Sequence, residues 1–135
     1  MKAAIILATS TLIFGLAACA PKPEVVGRSI YNDNCTSCHG KTGRGDGPLA
    51  GQLDRPVPDL TIIARENAGV FPMAEVLETI DGYTRRVRYG RTIMPEFGIA
   101  LQAGPLVKFD SGDGIPTPTP SRMIAIAEYL RSIQR

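Results

Sequence analysis

Apolar and polar positions follow a helical period in four stretches of this chain and lack a regular period between them. Gly27 and Tyr31 stand four apart, the spacing that puts two residues on one helix face. In PDLTIIARENAG, Asp59 is expected to N-cap a short helix that stops at Gly69. Met73, Val76, Leu77 and Ile80 recur at i, i+3, i+4 and i+7, which predicts an amphipathic helix ending at Gly82. The last stretch, SRMIAIAEYLRSIQR, places Ile126, Tyr129, Leu130 and Ile133 on one face of a final helix, with Met123 in its packing stripe. No βαβ pattern is visible, so the chain reads as short helices joined by long loops.

Residues 1–18 stand apart from this pattern. Met1-Lys2 gives a short positive start, and AAIILATSTLIFGLAA is free of charge and ends in small residues. That is the build of a secretory signal, too short and wrongly flanked for a stop-transfer helix. APKPE, just beyond Cys19, reads as a short Pro-rich tether over 19–24, which leaves 25–135 as the folded domain.

Length and composition narrow the picture. The 135 residues suffice for one small domain. Fifteen Lys+Arg against 13 Asp+Glu give a formal charge of +2, reduced further if Lys2 leaves with the leader. This is no nucleic-acid footprint, which needs a strong basic excess on one face. Eleven prolines and 14 glycines imply much loop, and with no Trp and 6% aromatic residues the protein's own core is thin. Small domains of this kind are commonly held by a disulfide, a metal or a cofactor.

The chain has three cysteines, Cys19, Cys35 and Cys38, and one histidine, His39, directly after the third. Three chemistries use a C-x-x-C pair. A thioredoxin-like redox pair follows a strand in a βαβ unit, which is not seen here. A zinc site needs four ligands, and no second cluster is present. The third is C-x-x-C-H, the attachment site of c-type haem. There two thioethers bind the haem vinyl groups, and the next residue, His39, falls under the iron as proximal ligand. One covalently attached haem would also staple the domain and fill its core.

From about Glu24 to Arg135 the chain resembles the class I cytochromes c, and CHG..G.GDGP, DLT, FP….V…IDG and MPEFG are similar to small bacterial members. The resemblance implies an all-α cytochrome c fold, short helices and loops wrapped around one haem c. It implies that Gly27 lets the first helix cross the last closely, with Tyr31 and Tyr129 at the crossing. It also implies that the Pro48 carbonyl accepts from His39 Nδ1–H, a bond that fixes the ring and raises its basicity. Phe97 stands where family members often carry tryptophan. LAAC, ending at Cys19, resembles the lipobox of bacterial lipoproteins, which makes Cys19 the lipidated first mature residue and places the domain on the periplasmic side of a membrane.

The second axial ligand decides function. With a single histidine, bis-His ligation within the chain is impossible, leaving methionine, lysine or an open site. Met73 and Met123 fall in packing stripes. Met94 lies outside any helical pattern, and Pro95 pushes it toward extended backbone in a loop able to hold a thioether against the distal face. In the family such an M-P loop carries the distal methionine. His/Met ligation saturates the iron and suits an electron carrier rather than an enzyme, with redox proteins as partners and no small-molecule substrate. Two other functions stay open: a five-coordinate haem sensor or enzyme, and a cytochrome subunit of a larger dehydrogenase or oxidase. Arg85, Arg86, Arg88 and Arg91 form either a solvated face or a basic patch that steers an acidic partner and pairs with a haem propionate. The stretch 98–121, rich in Gly and Pro, reads as a surface loop insertion or a partner-docking loop.

Overall fold

A computed structural model describes residues 21–83 and 93–135. Helix α1 runs from Pro23 to Asn34. Pro23 sits in the first turn, where its missing N–H costs nothing, and Glu24 beside it complements the helix dipole. The tether expected through Glu24 is therefore shorter, because its last two residues already belong to the fold. After Cys35, a single turn, α2 (Thr36–His39), carries the rest of the C-x-x-C-H motif.

A loop with two 3₁₀ turns, Ala50–Gln52 and Leu60–Ile62, leads to α3 (Ile63–Glu66). Asp59 caps the second turn as expected, its side chain accepting from Thr61 N at 2.8 Å. The chain then reverses at Ala68 and Gly69, both at positive φ, with Gly69 N bonded back to Ala64 O at 2.8 Å. Helix α4 (Met73–Asp81) buries Val76 and Ile80 and ends at Gly82 in the left-handed region. A short α5 (Gly98–Leu101) and the long α6 (Ser121–Ser132) complete the helices among the described residues.

The crossing of α1 and α6 organises the core. A Cβ at Gly27 would collide with the Ala125 carbonyl and come within 2.8 Å of Tyr129 Cβ, so only glycine permits this approach. Tyr31 and Tyr129 pack there as a tilted pair, ring centroids 5.2 Å apart, and Arg28 lies over the Tyr129 ring at 5.9 Å. Ile30, Val76, Ile80, Leu101, Met123, Ile126 and Leu130 close the core around them.

One expectation is corrected. The fold is not purely α, and 98–121 is not a structureless loop. After α5, β1 (Leu106–Phe109) pairs antiparallel with β2 (Thr117–Pro120), with Val107 opposite Thr119. Asp110 Oδ1 accepts from Gly112 N at 2.8 Å and Gly114 N at 3.0 Å and so closes the hairpin tip. Proline lacks a ladder donor, and Pro118 and Pro120 are tolerated because this ribbon has only two strands.

Candidate haem site

Helical geometry assembles the motif locally. His39 N donates to Cys35 O at 2.9 Å, closing the turn that brings Cys35, Cys38 and His39 to one wall of a cavity of about 850 Å³. A smaller space of about 270 Å³ adjoins it and shares Cys35, His39, Pro58, Met94 and Phe97. Its inner wall is the core itself, with Tyr31, Val76, Ile80, Ile126 and Leu130. Cofactor sites commonly occupy about 300–1,000 Å³ and are mostly apolar with a few placed polar groups, as here.

The His39 ring is 9% exposed. Burial lowers its pKa below the ordinary histidine value, while the Pro58 backbone carbonyl acts in the opposite sense. The ring is held neutral, the form that ligates metal. Its Nδ1 is buried and without a formed hydrogen bond, so the Pro58 carbonyl beside the ring is within its influence yet not fully engaged. Cys35 is pushed up to about 11, first by burial and then by neighbouring Cys38. Both thiols are unbridged.

The loop after His39 is fastened to α2. Gly45 N donates to His39 O at 2.9 Å, Gly47 N to Cys38 O at 3.1 Å and Leu49 N to Ser37 O at 2.9 Å. Gly45 lies at φ +76°, and a Cβ there would collide with the Val57 carbonyl. These bonds turn Pro48 outward, where it is exposed and lines neither cavity. The expectation for Pro48 is corrected accordingly: the carbonyl beside His39 is that of Pro58. A second contact was not foreseen. The Tyr31 hydroxyl, fully buried, donates to Gly40 O at 2.7 Å and pins the residue after the histidine. Burial first, then the proximity of Cys35, raises the Tyr31 phenol well above the usual tyrosine range.

Across the cavity, Met94 is half-buried in the loop ahead of α5 and lines both spaces. Phe97 N donates to Ile80 O at 3.1 Å and ties this loop to α4. Met73 and Met123 pack in the core and line neither space, as expected of them. Lys22, Lys41 and Lys108 line neither space. Among the described residues, no three His, Cys, Asp or Glu side chains converge where they would hold a bare metal ion. Cys19 and the arginines at 85, 86, 88 and 91 lie outside the described residues.

Two thiols one helical turn apart, a neutral histidine with an uncommitted Nδ1 and an apolar cavity together fit a covalently bound haem. This is the class of the c-type cytochromes. The family model described as cytochrome c oxidase, cbb3-type, subunit III matches residues 24–105, well over half of the chain. The chain belongs to this family of class I c-type cytochrome domains, whose cofactor is covalently bound haem c. No curated protein matches the chain.

Proposed function

We propose that this protein is a His/Met-ligated, single-haem electron carrier, tethered by a lipid on Cys19 to the periplasmic face of a membrane. The observation that carries the reading is the pairing of His39 with Met94. They line the same two spaces, and the other described methionines and lysines line neither.

Cys35 and Cys38 would hold the macrocycle through thioethers, His39 would be the proximal ligand and Met94 the distal one. When bound, the haem supplies a one-electron Fe(III)/Fe(II) couple. The chain's own residues set its surroundings. Burial keeps His39 neutral, and the Pro58 carbonyl beside the ring would accept from its Nδ1–H once the group is bound, fixing the ring and strengthening it as a donor. The Met94 thioether, held together with the His39 imidazole, would favour the reduced ion and raise the potential. The walls formed by Val76, Ile80, Ile126 and Leu130 exclude water from the inner face. If His39 and Met94 both held the iron, it would offer no open site for substrate, which suits electron transfer rather than catalysis. The arginines at 85, 86, 88 and 91 would steer an acidic redox partner.

A second reading is favoured by the family's description: the domain would serve as a cytochrome subunit of an oxidase complex. The two readings share the haem chemistry and differ in whether a partner co-purifies from the membrane. Absorption spectra of the purified protein, reduced with and without carbon monoxide, test the ligation. Low-spin bands indifferent to carbon monoxide are expected, and a prompt carbon monoxide shift would indicate an open site and a sensor or enzyme instead.

A further inference from the structure

The residues that brace Pro58 come from the opposite end of the domain. Leu60 N donates to Gly43 O at 2.6 Å, so the segment after Pro58 is bonded on one side to the loop that follows His39. Its other side is held by Gln134 and Arg135, just past α6. Gln134 Nε2 donates to Leu60 O at 2.7 Å and to Leu130 O at 2.8 Å, and its Oε1 accepts from Ala64 N at 2.9 Å. Arg135 N donates to Thr61 O at 3.0 Å. Its side chain donates to Thr61 Oγ1 at 2.7 Å and Asp59 Oδ2 at 2.9 Å. Thr61 is 4% exposed and Gln134 half-buried, so most of these bonds are shielded from water.

This arrangement does more than secure a loop. A half-buried glutamine using both ends of its amide on three backbone groups fixes position closely, because each unmade bond would leave a shielded polar group unsatisfied. The segment it fixes begins two residues after the carbonyl beside the His39 ring. We propose that Gln134 is a positioning residue for the proximal histidine. By holding residues 60–64 on α6, it sets the Pro58 carbonyl against His39 Nδ1 and thereby tunes the iron's reduction potential. The inference rests on the reading of Pro58 as acceptor for the proximal ligand. Outer hydrogen-bond partners of a ligating histidine control its basicity. A looser Pro58 carbonyl makes the imidazole a weaker donor, which disfavours the ferric ion and raises the potential.

The test uses the haem-loaded protein with a ¹⁵N-labelled histidine ring. In the reduced wild type, His39 Nδ1–H should be protected from exchange and coupled to the Pro58 carbonyl. In Gln134→Leu, Nδ1–H exchange should accelerate at least tenfold more than that of the Ala127 amide, which reports global opening from the middle of α6, and the potential should rise. Gln134→Glu keeps an acceptor for Ala64 N–H but loses the donor to Leu60 O, and should fall between the two. Equal acceleration at His39 and Ala127 with an unchanged potential would reduce Gln134 to a stabilising residue and overturn the proposal. A wild type with an unprotected Nδ1–H would instead overturn the Pro58 reading itself, and the proposal with it.

Discussion

The wall from Cys35 to Thr61 and the loop from Ile93 to Phe97 face the same cavity but are held by different means. In the first, the motif folds back on itself. Backbone bonds join Gly45 to His39, Gly47 to Cys38 and Leu49 to Ser37, the Tyr31 hydroxyl pins Gly40, and Gln134 and Arg135 brace the far end. In the second, Met94 is set at a distance from these contacts, its loop anchored to α4 through Phe97 N and Ile80 O. His39, the proposed proximal ligand, is thus positioned mainly by local backbone bonds with a distant brace, and Met94, the proposed distal one, by tertiary packing. A thioether is a weak donor, so under the proposed ligation the Met94 bond is the one that strain or unfolding would release first.

The largest expected effect is at the motif itself. Cys38→Ala should abolish most covalent haem retention, and a denaturing gel stained for haem reads it directly. Normal yield would break the proximal half of the comparison. Gly27→Val comes next. The added side chain would collide with the Ala125 carbonyl, and overpacking of this sort costs roughly 1–3 kcal/mol, more where backbone must shift. Thermal unfolding should show a clear drop, with axial ligation intact in the molecules that fold.

Tyr31→Phe sharpens the comparison further. It removes the bond to Gly40 O, which keeps only the longer one from Gly43 N at 3.3 Å, for about 0.5–1.5 kcal/mol. The loss should appear in denaturant midpoints while the Met94 side is unaffected. The smallest effect is a pH dependence. Bonds from the Thr61 hydroxyl and amide, aided by Arg135, hold Asp59 at about 2, below the ordinary carboxylate near 3.9. The folded state therefore favours the ionised form. Its stabilisation is complete above about pH 4 and is lost as pH falls through 4 toward 2. Asp59→Asn should lower stability near neutrality, flatten the stability–pH curve in that window and approach the wild type at its acid end.

What the sequence revealed follows the same division. Cys35, Cys38 and His39 are contiguous, so their chemistry could be read without a fold. Periodicity put Gly27 and Tyr31 on one helix face, the family resemblance implied that they meet Tyr129 on the last helix, and the crossing is as expected. The stop at Gly82 and the cap at Asp59 are local backbone preferences. Pro58 was not legible. Which of two prolines reaches the histidine depends on the path of the loop between Gly40 and Val57, and that path is set by backbone bonds that side-chain types do not announce. The Gln134 brace spans some seventy residues of chain, as the separations from Ala64 and Leu60 record, and no periodicity signals it. The hairpin was missed because LVKF is too short to show alternation and TPTP reads as an extended proline tail. The role of Met94 was inferred by elimination, and its place on the cavity supports that inference.

The central claim, axial ligation by His39 and Met94, is tested most directly by proton NMR of the reduced, haem-loaded protein. A methionine methyl lying over the haem face is shifted strongly upfield by the ring current. The account predicts one such three-proton signal in the wild type, absent from Met94→Ala, retained in Met73→Leu and Met123→Leu. A wild-type spectrum without that signal, or one in which it survives Met94→Ala, would contradict it.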